Sequence, residues 1–438
     1  MKQIKIIVYA VIAAFGALVV GLNLGGISGA INLIEAEFTL SSLAKGFITG
    51  SLLVGCLFGA LVGGSLADKF GRKPMLFVSA LLLGFSGLGC WLYTPGWFIL
   101  TVYRFVGGFG VGILSAAIPT YISEVSPANL RGTFVSFYQF GVVIGILLAY
   151  CFNYIIKDNW HVMLSLPFFF ALADLLLLTL MPESPRWLML RGRKDDAEKA
   201  VEKYGFAKDD ADAILAAPAE NKETQAKFGE LFKGRIGHVV FLGSMLAFFQ
   251  QITGINVVVN YAPGILDKLG VGSDPLLQTV FIGIANLIFT IIAIWLVDRF
   301  NRKALLIVSG AGSCLSLAYL AYAYSIAAPS SVAVLVAIIC FIAFFALGFS
   351  PLLFVVTSEM YPSHIRGTAM ALSTAISWAC AFIVVQFYPW MESTLGTNVA
   401  FGIFAALLLV ACIFIGFFIP ETKGKTLEQI QHELKLDE

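Results

Sequence analysis

The sequence predicts an all-α membrane protein in which twelve transmembrane helices form two similar six-helix halves. Three observations predict this fold: an apolar composition, twelve apolar stretches long enough to cross a bilayer, and charged motifs that occur twice in the same order. Of the 438 residues, 59% are hydrophobic and 13% are charged, whereas a soluble domain has about 25% charged residues. The excess apolar surface requires lipid around it, and a net charge of +1 does not favour a nucleic-acid partner.

A helix needs about 20 apolar residues to cross the hydrocarbon core of a bilayer. Twelve stretches meet this length, and they are numbered here as spans 1 to 12. The first lacks a small-residue cleavage site, so it is predicted to be a span and not a signal peptide. The predicted spans cover residues 6–30, 46–67, 74–93, 97–121, 134–156, 162–181, 237–262, 277–297, 303–325, 332–357, 367–390 and 399–419.

The basic residues predict the orientation of the spans. Of the 28 lysines and arginines, 24 lie at the termini or in every second connection. The other connections hold only Lys45, Lys157 and Lys268, and Arg104 lies within span 4. Because basic loops stay in the cytoplasm, both termini and the long middle loop are predicted to be cytoplasmic. We expect a multi-pass protein of the plasma (inner) membrane.

The chain divides into four predicted segments. Residues 1–182 form the N-terminal half, 183–236 a cytoplasmic linker, 237–420 the C-terminal half and 421–438 a cytoplasmic tail. In the linker, 194–204 and 208–216 have the mixed charge and composition of short helices. The alternative is a disordered linker.

Three charged motifs recur in order. D-K-F-G-R-K at 68–73 is matched by D-R-F-N-R-K at 298–303, and S-E-x-x-P-x-x-x-R-G at 123–132 recurs at 358–367. P-E-S-P at 182–185 is matched by P-E-T-K at 420–423. The offsets are 230, 235 and 238 residues, so loop lengths alone account for the drift. Two six-helix repeats with a site near the membrane midplane are typical of alternating-access carriers.

These motifs, together with PESPRWL (182–188), QQxxGIN (250–256) and PETKGKTLE (420–428), resemble the sugar porter family of the major facilitator superfamily. The resemblance runs from Gly21 to Leu427. It implies the major facilitator fold and a carrier of a monosaccharide, with a hexose as the leading candidate. We expect the carrier to be a monomer. It implies no cofactor. No C-x-x-C spacing or nucleophile pattern occurs, so neither a metal site nor an enzyme is expected.

The repeated charges are predicted to form a gate at the cytoplasmic ends of the spans. Ion pairs between the halves would hold that side shut and break when the carrier opens inward. The alternative is that these charges only anchor the helix ends. The resemblance adds Glu183, Arg186 and Glu421 to the gate. The full set of predicted gate charges is Asp68, Arg72, Glu124, Arg131, Glu183, Arg186, Asp298, Arg302, Glu359, Arg366 and Glu421.

Amide side chains within the spans are the candidate sugar ligands, because an amide offers both a donor and an acceptor to neighbouring hydroxyls. By resemblance, the sugar-contacting positions are Gln139, Gln250, Gln251, Asn256 and Asn286. In an ideal helix Gln251 and Asn256 lie about 140° apart, so both reach one ligand only if the cavity wraps the helix or the helix deforms at Gly254. Hydrogen bonding between helices is the alternative role. Tyr261 is the candidate outer gate.

Two departures from the family limit the choice of sugar. Phe354 occupies a position where hexose carriers usually have tryptophan, and Ser377, before Trp378, one where glucose carriers often have a larger amide. Phe354, Ser377 and Trp378 remain substrate-binding candidates. Both departures remove hydrogen-bonding reach, so fructose, a pentose or a polyol stay open alongside glucose.

The coupling position is Asn23. Proton-coupled sugar porters resemble this segment of span 1 but have aspartate there, paired with an arginine at the position of Arg104. An amide cannot titrate, so facilitative uniport is the leading prediction and proton symport the alternative. Asp174 in span 6 is expected to be a peripheral acid, paired or protonated, and is the other candidate proton site. A non-transporting sugar sensor is disfavoured because sensors carry long tails.

Overall fold

The computed structural model describes residues 2–126, 131–206, 211–212, 215, 228–268, 274–297, 299–326, 330–362, 365–423, 425 and 429–430. Every regular element in these residues is helical. Twelve of the described segments are long and apolar enough to cross a membrane. The predicted all-α fold with twelve spans is therefore confirmed.

The first six spans are single helices. Each begins at the start of the predicted apolar stretch or up to four residues before it, because helical hydrogen bonding continues into the polar flanks. Their bounds are Lys2–Phe38, Ser42–Phe70, Arg72–Leu92, Trp97–Val125, Arg131–Ile156 and Trp160–Leu180.

In the second six, spans 7 and 10 are each broken into two helices. Span 7 consists of Gly234–Ile252 and Ile255–Asp267, and span 10 of Ser331–Leu347 and Phe349–Met360. The breaks fall at Gly254, with a φ of 84°, and at Gly348. The remaining spans are Pro275–Val297, Arg302–Ala323, Arg366–Leu395 and Thr397–Phe418.

The linker contains the predicted helix Lys194–Tyr204, preceded by a short helix, Pro185–Leu190, and followed by a 3-10 helix, Phe228–Phe232. Most of the second predicted linker helix, 208–216, lies outside the described residues. Tyr204 is fully buried, and its hydroxyl hydrogen-bonds the Tyr121 hydroxyl of span 4 and the Pro182 carbonyl. The helix 194–204 is thus docked on the spans by its last residue.

The contacts divide the chain into two compact units. The first comprises residues 1–26, 54–149 and 161–223, and the second comprises 27–53, 150–160 and 224–438. We call the span ends with the repeated charged motifs the motif ends and the others the opposite ends. The opposite ends of spans 1, 2 and 5 belong to the second unit.

Glycines allow very close helix packing in the first unit. A Cβ added to Gly21 of span 1 would lie 2.0 Å from the Val142 carbonyl oxygen of span 5, and one added to Gly145 would lie 2.1 Å from the Leu18 carbonyl oxygen. Backbones at such a distance exclude any side chain. Small residues at these contacts are typical of helix packing in membranes, where dispersion replaces the hydrophobic effect.

Candidate functional site

The break in span 7 brings the predicted amide ligands together. Gly254 adopts a left-handed conformation that a residue with a Cβ rarely adopts, and the helix restarts at Ile255. Asn256 Nδ2 donates to Gln251 Oε1 over 2.5 Å. The structure therefore shows a deformation at Gly254, one of the two conditions under which both amides reach a single ligand.

The network extends from Gln251 to spans 10 and 11. Gln251 Nε2 donates to Ser377 Oγ of span 11 at 2.8 Å and to Gln250 Oε1 at 3.1 Å. Gln250 Nε2 donates to the Phe349 carbonyl, directly after the break in span 10, at 2.8 Å. We call Gln250, Gln251, Asn256 and Ser377 the amide cluster. These side chains satisfy one another, and incoming hydroxyl groups can replace such bonds one for one.

Trp378, which follows Ser377 in span 11, carries a further donor. Its indole Nε1 is buried and has no hydrogen-bond partner among the described residues. A buried donor without a partner costs free energy comparable to a lost hydrogen bond, so a ligand oxygen at this point would be favoured. Of the other candidates, Asn286 is half-buried and Phe354 is 45% exposed. Gln139 is half-buried in the first unit.

Tyr261, the predicted outer gate, packs against span 11. Its hydroxyl donates to the Val385 carbonyl at 3.1 Å, and its ring centroid lies 5.3 Å from that of Tyr388. Between Tyr261 and the amide cluster, Asn260 Nδ2 donates to the Asn256 carbonyl at 2.7 Å. Tyr261 thus joins span 7 to span 11 at a point five residues after Asn256.

At the coupling position, Asn23 is 7% exposed and donates from Nδ2 to the Val19 carbonyl at 3.0 Å. Its Oδ1 lies 3.4 Å from the place where a Cβ on Gly107 would stand. Arg104, one turn before Gly107 in span 4, is buried. Spans 1 and 4 therefore approach each other here.

Asp174 is expected to be a peripheral acid, paired or protonated, but the structure places it in the interior. The residue is 1% exposed, and its Oδ1 has no hydrogen-bond partner among the described residues. Its Oδ2 lies 3.3 Å from the place of a Cβ on Gly16 in span 1, beside Ile118 of span 4. The missing side chain at Gly16 leaves the space that the carboxyl group fills. Sequence periodicity could not show which face of span 6 is covered.

At the motif ends of the first unit, three of the predicted gate charges form one cluster. Arg72 donates to both carboxylate oxygens of Glu124, at 2.8 to 3.2 Å, and pairs with Asp68 at 2.9 Å. A bidentate arginine–carboxylate pair is among the stronger charge-assisted contacts. Both partners of each pair lie within the N-terminal half.

Glu183, one of the predicted gate residues, binds the start of span 3 in the structure. Its carboxylate accepts hydrogen bonds from the backbone N–H of Lys73, at 3.2 Å, and of Ser184, at 2.7 Å. Lys73 lies in the first turn of span 3, where N–H groups lack helical partners and favour an anion. Gly71, with a φ of 111°, leaves the space for this carboxylate. Burial raises the pKa of Glu183 despite these donors.

The C-terminal repeat has the same arrangement. Glu421 accepts from the backbone N–H of Arg302 and Lys303 at the start of span 9, at 3.0 and 3.1 Å. Arg302 pairs with Glu359 at 3.6 Å, and Arg366 Nε donates to the Tyr361 carbonyl at 3.2 Å. Two P-E motifs thus bind the N-termini of equivalent helices.

The predicted gate pairs between the halves stay a prediction, since the pairs described above lie within one half. Arg186 is half-buried beside Trp187. Asp298 and the side chain of Arg131 lie outside what the structure describes. The sequence did not predict that Glu183 and Glu421 bind helix N-termini. The repeat does show that the two residues are equivalent, and each binds the third span of its own half.

Comparisons with known proteins agree with the architecture. The family model described as "Sugar (and other) transporter" matches residues 9–434. The D-xylose-proton symporter of Escherichia coli (strain K12) is 35% identical, over 96% of this chain and 94% of its own. The glucose facilitated diffusion protein of Zymomonas mobilis is 33% identical, over 96% of each chain.

Among solved structures, the inward-open conformation of the xylose transporter XylE from E. coli is similar, with a TM-score of 0.84 and 32% identity. The match covers 98% of this chain and 99% of that one. This chain belongs to the sugar porter family of the major facilitator superfamily and is a sugar transporter, not an enzyme.

Proposed function

We propose that this protein carries a monosaccharide, with a hexose as the leading candidate, by alternating access through the amide cluster. The single observation that supports this substrate class most directly is the cluster itself. Gln251 links Gln250, Asn256 and Ser377 within 2.5 to 3.1 Å. A monosaccharide carries several neighbouring hydroxyl groups, each of which is both donor and acceptor, and the linked amides match that chemistry.

Transport into proteoliposomes tests the substrate. The purified protein is reconstituted and given a panel of labelled sugars: glucose, fructose, xylose and a polyol. We expect saturable uptake of at least one monosaccharide, with protein-free liposomes as the control. If protein with a normal melting curve takes up no sugar of the panel, the proposal is contradicted.

The leading mode is facilitative uniport, supported by Asn23. This residue occupies the coupling position with a side chain that cannot exchange a proton, and its amide is already bonded to the Val19 carbonyl. The Zymomonas relative, named for facilitated diffusion, is compatible with this mode. A uniporter brings the two compartments to equal sugar concentration and goes no further.

Proton symport is the second candidate, and one specific observation favours it. Asp174 is 1% exposed, and its Oδ1 has no hydrogen-bond partner among the described residues. An ionisable side chain buried within a span is costly and is by default a candidate functional site. The E. coli relative, named as a proton symporter, also favours this mode. If uptake proves concentrative and is abolished by a protonophore, Asp174→Asn should remove the concentrative part and leave equilibrative exchange.

The distribution of the basic residues supports an orientation in which both termini and the linker lie in the cytoplasm. The membrane is proposed to be the plasma (inner) membrane. Single cysteines at positions 205 and 438 would be labelled by a membrane-impermeant reagent only after the cells are opened. A single cysteine at position 158, in the opposite connection, is the control and should be labelled in intact cells. Labelling of position 205 from outside would overturn the orientation.

A further inference from the structure

Lys45, Lys157 and Lys268 are the three lysines in the connections that hold few basic residues. Each pairs with a carboxylate in the structure. Lys45 pairs with Glu35 at 2.6 Å, and Lys268 pairs with Glu392 at 3.0 Å. The first pair lies within the N-terminal half of the sequence and the second within the C-terminal half. Lys157 pairs with Asp274 at 2.6 Å, and of these three pairs it alone joins a residue of one half to a residue of the other.

The backbone positions Lys157 for this contact. Span 5 ends at Ile156, and Lys157 follows in the left-handed conformation, with a φ of 56°. Its N–H donates to the Asn153 carbonyl at 2.9 Å, which closes the helix end. Residues other than glycine adopt this conformation at a steric cost. The ammonium group passes over the Tyr154 ring, 4.7 Å from its centroid, toward Asp274.

Asp274 is held in place independently of the lysine. It precedes Pro275, the first residue of span 8, and its Oδ1 accepts a hydrogen bond from the Leu276 N–H at 3.0 Å. This is the geometry of a helix N-cap, with proline at the first helical position. The other oxygen, Oδ2, accepts from Lys157. The Lys157 hydrogen bond lowers the pKa of Asp274, and Asp274 raises the pKa of Lys157, so the pair is fully charged at neutral pH.

Uncharged contacts also join the two halves at the opposite ends within the second unit. Tyr150 of span 5 donates to the Val259 carbonyl of span 7 at 2.9 Å, and Gln386 of span 11 donates to the Leu43 carbonyl at 3.0 Å. A Cβ added to Gly46 of span 2 would lie 2.0 Å from the Gln386 carbonyl oxygen. The opposite ends of spans 2 and 5 are therefore packed tightly against spans 7 and 11.

We propose that Lys157 and Asp274 form an ionic latch that holds the opposite ends of the two halves together and must break before those ends separate. The proposal rests on alternating access, because only a carrier that opens on this side needs the contact to be reversible. The pair suits a latch, since its side chains are 46% and 32% exposed. An exposed ion pair shifts an equilibrium modestly, by roughly two- to fivefold, so it biases the two states without locking one.

Hydrogen–deuterium exchange of the sugar-free protein in nanodiscs tests the latch. Exchange of segments 38–48, 150–160 and 386–396 reports how often the opposite ends separate. Lys157→Gln should raise exchange in these segments roughly two- to fivefold, and Lys157→Glu should raise it further, because it places a second negative charge beside Asp274. Lys157→Arg should stay near the unmodified protein. All three variants leave the Asp274 helix cap intact.

Two controls isolate the latch from general charge effects. Lys268→Gln breaks an ion pair of matched exposure, 49% against 46%, but within one half, and should leave segments 38–48 and 150–160 unchanged. Raising the salt concentration should raise exchange in the unmodified protein and have little effect on Lys157→Gln, since screening acts on the pair. Equal exchange in Lys157→Glu and the unmodified protein, or an equal rise in Lys268→Gln, would overturn the latch. The measurement uses no sugar, so its outcome is independent of which substrate is carried.

Discussion

At the scale of single residues, the candidate site depends on one amide more than on the others. Gln251 takes part in three of the hydrogen bonds of the amide cluster, as donor to Gln250 and Ser377 and as acceptor from Asn256. Its neighbours each make fewer contacts within the cluster. The orientation of the other donors and acceptors therefore follows from the position of this side chain.

Gln251→Ala should weaken sugar binding by about 1–3 kcal/mol, the cost of leaving hydrogen-bond partners unsatisfied. Asn286→Ala should weaken it by a similar amount if that amide also contacts the sugar. Gln278→Ala, which removes a buried amide of span 8 outside the cluster, is the control. Calorimetric titration with the transported sugar measures the affinities. Unchanged affinity in both Gln251→Ala and Asn286→Ala would place the binding site elsewhere.

Trp378→Phe removes the indole N–H donor and keeps an aromatic ring at this position. Because Nε1 has no partner among the described residues, its removal should not lower the melting temperature of the sugar-free protein. If the N–H donates to the sugar, affinity should fall by about 0.5–1.5 kcal/mol, the net contribution of one hydrogen bond. A melting temperature that falls while affinity is unchanged would show that the N–H has a structural partner instead.

Residue types were easier to predict than residue pairings. The amides of span 7 are recognisable because polar residues within a span are costly. Glu183 and Glu421 are recognisable as equivalent by the repeat. That each binds the N-terminus of a helix more than 100 residues away in the chain could not be predicted, because sequence carries no distance between such positions.

At the scale of whole elements, the sequence predicted all twelve spans and the linker helix 194–204, since apolar length and helix-forming composition are local properties. The break in span 7 was foreseen only as a condition for Gln251 and Asn256 to share a ligand. The break at Gly348 in span 10 was not predicted, because many glycines in the other spans continue a helix without interruption. Whether a glycine ends a helix depends on tertiary contacts.

Gly254→Ala should disturb span 7 in two ways. The backbone conformation, with a φ of 84°, is unfavourable for alanine, and the added Cβ would lie 2.7 Å from the Phe404 ring. We expect a loss of roughly 1–3 kcal/mol in stability and weaker sugar binding, since Gln251 and Asn256 flank the break. Gly416→Ala in span 12, where a Cβ meets nothing within 4 Å, is the matched control. Melting curves and binding isotherms compare the two.

At the scale of the whole molecule, the charges at the motif ends and those at the opposite ends form different kinds of ion pair. The motif ends carry arginine–carboxylate clusters within each repeat, such as Arg72 with Glu124 and Arg302 with Glu359. The opposite ends carry few charges, and one of their pairs joins the halves. The basic residues were enough to predict a topology, but not the partners of the three isolated lysines, since loop residues from distant spans meet only in the folded chain.

The energy source is also a property of the whole molecule. A carrier that moves one charge with each sugar gains about 2.3 kcal/mol from a potential of 100 mV. Because about 1.4 kcal/mol corresponds to a factor of ten, that would support an accumulation ratio of roughly 50. Uniport through a site with Asn23 should instead give a vesicle uptake ratio near one. An imposed pH gradient or membrane potential should leave that ratio unchanged.

Asn23→Asp should introduce proton dependence, for a reason visible in the structure. The Val19 carbonyl, which now accepts from the Asn23 amide at 3.0 Å, would accept equally from a protonated carboxyl group. The buried positive charge of Arg104 in span 4 would favour the ionised form. Two opposing influences make the new acid able to take up and release a proton during the cycle. Asn23→Ser, which removes the amide without adding an acid, is the control. Vesicle uptake of Asn23→Asp should respond to an imposed pH gradient, whereas concentrative uptake by the unmodified protein would contradict the role given to Asn23.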